Sequence, residues 1–542
     1  MFYDNVLAQF KELELRHYLL ALLIYLVVAT IWLSYLSEPR HPTSVPYVGQ
    51  DPHGWLSPVH GFGKRIKWAQ EGYDKYNKQN RAFILPCTPG SPNELVLPPS
   101  QLAWFIQQPD SVLSTTAAHN RLMAGAYVFH DRRIMRDVFQ EHVIHKLLQR
   151  NVNAMLPDLW DEITITLDEQ LGTEAGIWKD FKLSNMVSNT MPRIAHMIFV
   201  GRPVCRIPEY LRAATGHALG VASCMWFRHL TPAVLAPLVS RLVALPNWIL
   251  WHRTAKYTLP MVRQRLADME RKRREPEWDW QPPNNFWTWY IRLALEEGRL
   301  DQLDPVLMTK RLMPLNFASI HTSSLTALSL ILDLASSDPE RGYLDAIREE
   351  VEQVLREHGT LCSKEALGKL HKTGSAVRES IRLSNFAQIL VHKEVVAPEG
   401  LTNPTEGWHA PKGTLLCFAS GCVHHDPDIY DSPWEYDAFR FSRAREDQDA
   451  RADGDKKGFR KHQGSIVTTG DSYLAFGHGK HACPGRFFVA YVLKMMLAYM
   501  VLNYEIKPLD RRPSYKWLGM VMIPPTGTSI HVRRKEKGYV YD

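Results

Sequence analysis

Residues Phe476 to Gly485 read Phe-Gly-His-Gly-Lys-His-Ala-Cys-Pro-Gly, and an apolar segment with helical spacing follows them. The cysteine of this stretch, Cys483, stands between small residues just before the predicted start of that helix. Backbone N–H groups at a helix N-terminus stabilise negative charge and lower the pKa of a thiol. A thiolate held there is suited to a metal such as haem iron. The alternative is a glycine-rich turn around a buried structural cysteine.

The overall composition excludes several classes of protein. The 542 residues are 45% hydrophobic, enough for a large core, and the formal net charge is +7. Lysine and arginine are spread along the chain without a dense basic block, so no nucleic acid is expected as a partner. The mild positive charge fits an anionic membrane surface or an acidic protein better. The 7 scattered cysteines argue against a disulfide framework and for a reducing compartment.

An uncharged apolar segment lies near the N-terminus, over residues 18–36. As a helix it would span roughly 28 Å, about the thickness of a bilayer's hydrocarbon core. We therefore predict an N-terminal transmembrane anchor within 1–37, with a cleaved signal peptide and a buried core helix as the alternatives. A Pro-rich linker over 38–60 and one large domain over 61–542 complete the predicted organisation.

The large domain is predicted to be mainly α with small β-sheets. Helical spacing dominates 131–169, 206–258 and 286–385, whereas 387–440 is rich in Val, Gly, Pro and short alternating runs typical of small strands. The charged, Pro- and Trp-rich segment 268–285 is predicted to be a solvated loop. The chain has no alternating strand–helix pattern and no Gly-x-Gly-x-x-Gly, so a built-in NAD or flavin domain is not expected.

The opening stretch resembles the haem-binding signature of the cytochrome P450 family, Phe-x-x-Gly-x-Arg-x-Cys-x-Gly. Phe476, Gly479, Cys483 and Gly485 match its defining positions, and His481 stands where the signature usually has arginine. Histidine there, followed by Cys-Pro-Gly-Arg, is typical of the fungal branch. The resemblance implies the cytochrome P450 fold and haem b with Cys483 as its axial thiolate. It also makes His481 the best candidate to hold a haem propionate.

A second motif, Glu379-Ser-Ile-Arg382, puts a carboxylate and a guanidinium on one face of a predicted helix. Taken alone, such a pair is usually a solvated surface contact. The family, however, uses a Glu-x-x-Arg pair and a later arginine as a buried structural triad. The resemblance carries this triad over to Glu379, Arg382 and Arg440, the last from the segment Asp437-Ala-Phe-Arg-Phe. Its implied role is stability of the fold and of the haem site, not chemistry.

A third motif, Phe317 to Ser324, reads Phe-Ala-Ser-Ile-His-Thr-Ser-Ser. It takes the place of the family's oxygen-activating helix, usually Ala/Gly-Gly-x-Asp/Glu-Thr, where an acid and an alcohol deliver protons to bound dioxygen. Thr322 fits the alcohol, and His321 replaces the acid. Histidine titrates near neutrality, so His321 is a candidate proton relay. A packing or hydrogen-bonding role for His321 is the alternative.

Several basic residues are candidates for less specific roles. The resemblance makes His130 and Lys146 further candidates for the haem propionates. Lys480, Arg486 and Lys494 lie close to the motif cysteine in sequence. We expect these three to contact an acidic electron donor.

The resemblance implies a membrane-anchored, fungal-type monooxygenase that activates dioxygen to hydroxylate or otherwise oxidise an apolar small molecule. A terpenoid, a polyketide or an alkaloid of secondary metabolism is the expected substrate class. The implied electron donor is NADPH–cytochrome P450 reductase, with cytochrome b5 as a second candidate. The implied location is the endoplasmic reticulum membrane, with the catalytic domain facing the cytosol.

Two alternatives belong to other classes of protein. One is a haem-thiolate isomerase or dehydratase that uses neither dioxygen nor a reductase; retention of Thr322 argues mildly against it. The other is a membrane scaffold in which His478, His481 and Cys483 bind zinc. Three ligands within six residues are closer together than structural zinc sites usually place them.

Overall fold

The computed structural model describes most of the chain. The described residues are 41–49, 63–87, 92–231, 235–451, 464–518 and 521–536, with the single residues Leu20, Tyr25 and Val28. Apart from those three single residues, the predicted membrane anchor within 1–37 lies outside the described residues, as does most of the predicted linker over 38–60. The large domain predicted over 61–542 is described almost throughout.

Helices make up most of the described chain, as the predicted fold class requires. In chain order they are α1 (Arg65–Lys75), α2 (Leu102–Gln107), α3 (Thr115–Met123), α4 (Gly125–Val128), α5 (Arg133–Arg136), α6 (Phe139–Val143), α7 (Gln149–Leu171), α8 (Leu183–Phe199), α9 (Pro208–Leu230), α10 (Ala236–Arg274), α11 (Phe286–Glu296), α12 (Pro305–Ala335), α13 (Tyr343–His358), α14 (Lys364–Lys369), α15 (His371–Leu383), α16 (Ser420–His424), α17 (Arg440–Arg451) and α18 (Arg486–Asn503). A π-helical turn, Ile144–Leu148, joins α6 to α7.

The strands are short and form small sheets. They are β1 (Phe83–Leu85), β2 (Glu94–Leu97), β3 (Leu113–Ser114), β4 (Trp178–Lys182), β5 (Leu390–Val395), β6 (Leu401–Thr402), β7 (His409–Ala410), β8 (Leu415–Phe418), β9 (Tyr504–Ile506), β10 (Lys516–Leu518), β11 (Val521–Ile523) and β12 (Ser529–Arg534). The largest sheet has the order β1-β2-β8-β5-β3, in which β2 and β8 are parallel and the other neighbours antiparallel. A second sheet has the order β4-β12-β9, and β6-β7 and β10-β11 are two-stranded.

The main core is built around α12 and α18. The side chain of Asp304 accepts the N–H of Val306 at 2.9 Å, and Pro305 opens the first turn, so α12 begins with a strong cap. α12 packs against α8, α9, α10 and α15, and α18 packs against α7, α13 and α15. Among the described helices, α12 and α18 are long and apolar enough to cross a membrane, but most of each apolar window is buried inside the protein. Both are core helices of the large domain.

A smaller core lies between α1 and the five-stranded sheet. β2 and β8 are buried on both faces, as expected for a parallel pair in the middle of a sheet. Gly72 lets α1 approach the sheet closely, because a Cβ at this position would lie 2.4 Å from the Phe83 ring.

The structure corrects the predicted loop over 268–285. α10 continues through Pro246 and Pro260 and ends at Arg274, so the loop is shorter than predicted. Ion pairs one turn apart stabilise the exposed end of the helix, including Arg274 with Glu270 at 2.8 Å. Tertiary packing along α10 outweighs the cost of its internal prolines, which spacing alone could not reveal.

Candidate active site

The loop around Cys483 is a tight turn held by backbone hydrogen bonds. The N–H of Cys483 donates to the carbonyl of Phe476 at 2.8 Å, and the N–H of Ala482 donates to the carbonyl of Gly479 at 3.1 Å. Gly479 has a φ of 74°, which L side chains rarely adopt, and a Cβ there would lie 3.2 Å from the Cβ of Ile106 on α2. Both the backbone conformation and the close packing account for glycine at this position of the motif.

Cys483 differs from the other cysteines in its surroundings. All seven cysteines are described, and Cys483 is the exposed one; Cys362 is half-buried and the others are buried. Even so, burial raises the pKa of the Cys483 thiol, opposed by the N–H of Gly485 and by the guanidinium and N–H of Arg486. The Cys483 thiol is therefore reached by solvent and is also surrounded by protein on most sides, which accounts for both its exposure and its raised pKa. Donors behind it and open space in front are what a metal-ligating thiolate requires.

Four histidines from separate segments influence one another electrostatically, and one of them, His481, belongs to the Cys483 loop. His119 on α3 interacts electrostatically with His392 on β5 and with His481, and His145 in the π-helical turn interacts with His481 and Arg486. His119 is exposed like the cysteine, yet burial lowers its pKa to about 4, with the two neighbouring histidines adding to the effect. We call His119, His145, His392 and His481 the histidine cluster.

His481 is also anchored to the protein. Its Nε2 lies 2.8 Å from a carboxylate oxygen of Asp110, and Lys480 Nζ lies 3.1 Å from the same oxygen. Burial would raise the pKa of Asp110, but hydrogen bonds from His481 and Lys480 outweigh it and hold the pKa below its usual value. The remaining ring nitrogen of His481 is left for other contacts. Asp110 was not identified from the sequence, because it belongs to no motif.

The middle of α12 is partly accessible, most of all at Ala318. Ala318 is exposed, although Leu315, Asn316 and Ile320 on either side are buried. The hydroxyl of Thr322 donates to the carbonyl of Ala318 at 2.6 Å, one turn earlier. The Thr322 hydroxyl therefore lies at the edge of the exposed surface at Ala318.

His321 points away from that edge. Burial lowers the pKa of His321, and the Ala218 carbonyl on α9 partly opposes the shift. Its Nε2 is buried without a hydrogen-bond partner among the described residues. The ring is therefore neutral near pH 7 and packs between α12 and α9.

The three residues of the predicted triad lie together. Arg382 donates two hydrogen bonds of 2.8 Å to the two carboxylate oxygens of Glu379, and Arg440 Nε donates to Glu379 at 3.0 Å. The side chains of Glu379 and Arg382 are fully buried, and Arg440 is 15% exposed. Arg382 also donates to the carbonyl of Pro433 at 2.7 Å. The triad ties α15 to the segment that leads towards the Cys483 loop.

Other predicted basic residues lie away from the thiol or are already engaged. Lys146 lies 2.9 Å from Glu297, and Lys494 donates to the carbonyl of Leu367 at 2.8 Å. Arg486 donates to the carbonyl of Cys483 at 2.7 Å and so braces the loop itself. The structure gives Lys494 no place on an exposed docking surface.

The zinc alternative does not fit the structure. His478 Nδ1 lies 2.9 Å from the Thr469 hydroxyl, and His481 is bound to Asp110, so these rings do not converge with Cys483 on one point. Within the described ranges, the group close enough to share a cation is Glu94, His392 and Cys417. Glu94 already forms a buried ion pair with Arg65, whose positive charge disfavours a further cation.

Comparison with known proteins identifies the family. The family model described as "Cytochrome P450" matches residues 115–532. The cytochrome P450 monooxygenase gloP of Glarea lozoyensis is 31% identical over 488 residues, 88% of each chain. The cytochrome P450 monooxygenase okaG of Penicillium ochrochloron is 30% identical over 86% of this chain and 89% of its own length. The cytochrome P450 monooxygenase tenB of Beauveria bassiana is 29% identical over 94% of this chain and 95% of its own length. These similarities show that the chain is a P450 monooxygenase and belongs to the cytochrome P450 family.

Proposed function

We propose that this P450 monooxygenase holds haem b through Cys483 and oxidises an apolar small molecule of fungal secondary metabolism. The proposal rests on the Cys483 thiol, which is exposed, unlike the buried or half-buried thiols of the other cysteines, and has the N–H groups of Gly485 and Arg486 beside it. When bound, haem supplies the dioxygen activation that the protein side chains cannot perform.

The residues around the thiol fit the chemistry of haem. Haem carries two propionate carboxylates beside its iron, and these need hydrogen-bond donors in a partly buried site. The histidine cluster can provide such donors from α3, the π-helical turn and the Cys483 loop, and from the free ring nitrogen of His392 on β5, whose Nε2 lies 3.2 Å from Glu94. His481 replaces the usual arginine of the motif, and Asp110 holds its ring in place at 2.8 Å. We propose that this cluster holds the propionates.

Thr322 is the side chain that we propose to manage protons and water at the reacting face. Its hydroxyl borders the accessible surface of Ala318 and is oriented by the carbonyl of that residue. A hydroxyl both donates and accepts, so it can pass a proton while staying in one place. His321 packs against α9 with Nε2 buried, which supports a link between the two helices more than a proton relay.

Apolar segments near this face are proposed to hold the substrate. Phe317 lies one residue before Ala318 and is half-buried. Ala387 pairs with Val521, and the N–H of Met522 donates to the carbonyl of Phe386 at 2.9 Å. The turn after α15 and the β11 strand thereby form one continuous wall. An apolar substrate would gain roughly 25 cal/mol for each Å² of apolar surface removed from water.

A membrane location is supported by an unusual apolar face on α9 and α10. Large apolar side chains there are between 41% and 58% exposed; they are Leu219, Phe227, Leu230, Leu235, Leu238, Leu242, Leu245, Trp248 and Ile249. Those at 238, 242, 245 and 249 follow helical spacing and share one face of α10. A patch of this size is uncommon on a surface that meets only water. We propose that it rests in the endoplasmic reticulum membrane, with the catalytic domain on the cytosolic side.

The test is NADPH-dependent turnover by the full-length protein, expressed in microsomes with a cytochrome P450 reductase and offered terpenoids, polyketides and alkaloids. We expect oxidised products only when NADPH, dioxygen and the reductase are all present, with cytochrome b5 tested as a second donor. Cys483→Ala is the control that should form no product. Product formed without NADPH would favour the isomerase or dehydratase instead.

A further inference from the structure

A second cavity lies far along the chain from the Cys483 loop, between α7, the turn after α8, α10 and the start of α11. Its volume is about 410 Å³, within the range of small-molecule sites. Met155, Met197 and Met261 supply much of its apolar wall. Methionine side chains are flexible and polarisable, so such a wall adapts to ligands of different shape.

Arg265 on α10 brings a buried positive charge to this cavity. The residue is 8% exposed and lines the cavity. Its Nη1 donates to the Thr288 hydroxyl at 2.6 Å and to the Asn285 side-chain oxygen at 3.2 Å, both of which are neutral. Among the described residues, no carboxylate lies within ion-pair distance of Arg265, and both of its side-chain hydrogen bonds come from Nη1.

The end of the helix beside Arg265 adds to its positive charge. Asn285 is the N-cap of the eleven-residue helix α11, so the positive end of the helix dipole also faces the cavity. Arg202 and Asp158 line the cavity too; Arg202 lies 3.0 Å from Glu162, 3.9 Å from Asp161 and 4.0 Å from Asp158, so its own charge is already offset. Burial lowers the pKa of Arg265, and the more distant Asp268 only partly opposes this.

A buried cation without a counter-ion is costly, and a bound anion would remove much of that cost. Another large cavity, about 650 Å³ beside Trp178, has no buried unpaired cation of this kind, since Arg533 and Arg348 beside it are paired with Glu505 and Asp345. We propose that the Arg265 cavity binds an organic monocarboxylate with a small apolar body, separately from the haem site. The carboxylate would accept from Arg265, and the apolar body would contact the three methionines.

The experiment measures binding of 4-phenylbutyrate to the full-length holoenzyme by titration calorimetry and by thermal shift, with the haem absorption spectrum recorded in parallel. The uncharged 4-phenylbutyramide and inorganic phosphate are the comparison ligands. Arg265→Met removes the charge while keeping an apolar side chain of similar length. Arg271→Met, at the exposed end of the same helix, is the matched control.

We expect 4-phenylbutyrate to bind and to raise the melting temperature without changing the haem spectrum. Arg265→Met should weaken binding at least about tenfold, as loss of a charge-assisted hydrogen bond to a carboxylate would. Arg271→Met should leave binding unchanged, and both comparison ligands should bind at least about tenfold more weakly than the carboxylate.

Equal affinity in Arg265→Met, or a carboxylate that binds only by changing the haem spectrum, would overturn the proposal. Equal affinity for the amide would overturn it as well. If Arg265→Met does not fold, Met261→Trp fills the cavity and keeps the arginine. Binding to that variant should fall at least about tenfold, and unchanged binding would contradict the site.

Discussion

Glu379 and Cys483 are two acidic groups inside one protein, and their surroundings differ in kind. Glu379 is fully buried and accepts hydrogen bonds from two arginines of its own chain. Cys483 has backbone amides and one guanidinium on one side and an accessible cleft on the other, and burial raises the pKa of its thiol. The chain neutralises the group that holds the fold and leaves open the group that we propose to bind iron.

This contrast separates what each motif contributes. A buried carboxylate with a complete set of partners stabilises the structure, because removing one partner leaves an uncompensated charge. A thiol with incomplete partners is poorly stabilised as an anion until a cation reaches it. Substitutions at the first site should therefore damage folding, and substitutions at the second should damage only cofactor binding.

The largest expected effect is that of Glu379→Gln. Arg382 and Arg440 would keep their charges in a buried site, which typically costs about 3–5 kcal/mol of the free energy of unfolding. We expect little folded protein, measured as soluble yield and by chemical denaturation. Glu357→Gln, at an exposed glutamate on α13, is the control and should change stability by less than about 0.5 kcal/mol. A Glu379→Gln variant that is stable and fully loaded with haem would contradict the structural role of the triad.

Cys483→Ala should have the opposite effect to Glu379→Gln: the protein should fold but should not retain haem. The loop is held by backbone hydrogen bonds that do not involve the thiol, so the apo-protein should keep its unfolding free energy to within about 1 kcal/mol. Haem retention through gel filtration should be lost. Cys422→Ala, at a buried cysteine away from the loop, is the control that should keep its haem. A Cys483→Ala protein that unfolds as readily as Glu379→Gln would contradict the division of roles.

Thr322→Val tests whether the Thr322 hydroxyl is needed for turnover rather than for haem binding or stability. The variant keeps the shape of the side chain but removes the hydroxyl beside Ala318, so haem binding and stability should be little changed. The amount of product per NADPH consumed should fall at least about tenfold, because positioned proton transfer commonly contributes more than this. The matched control is Thr326→Val, one turn further, whose hydroxyl donates to the carbonyl of Thr322 at 2.8 Å. Equal losses in both variants would remove Thr322 from the mechanism.

His321→Ala is expected to have the smallest effect on turnover. The ring packs between α12 and α9, so its loss should lower the free energy of unfolding by about 1–3 kcal/mol and leave coupling closer to wild type than Thr322→Val does. Thermal unfolding and the ratio of product to NADPH measure the two effects separately. A loss of coupling as large as that of Thr322→Val would identify His321 as the proton relay.

Local motifs in the sequence predicted the parts of the site that depend on contiguous residues. The spacing of Gly479 and Cys483 encodes a turn with a positive φ and a thiol beside backbone amides, and the Glu379–Arg382 spacing encodes a pair on one helix face. These features depend on short-range geometry, which the order of residues largely determines.

The histidine cluster could not be predicted in the same way. His119, His145 and His392 come from three elements, and only the packing of α3, the π-helical turn and the sheet brings them near His481. The continuation of α10 through Pro260 was missed for a related reason, since packing against neighbouring helices outweighs the local preference of proline to end a helix. Long-range packing decided both features.

The most direct test of the central claim is the absorption spectrum of the reduced, carbon monoxide-bound full-length protein, beside that of Cys483→His. We expect a thiolate-ligated haem spectrum in the wild-type protein. The variant should lose that spectrum, because imidazole replaces sulfur at the same position. A wild-type protein without the thiolate-haem band, or a variant that keeps it, would contradict the assignment of Cys483 as the iron ligand.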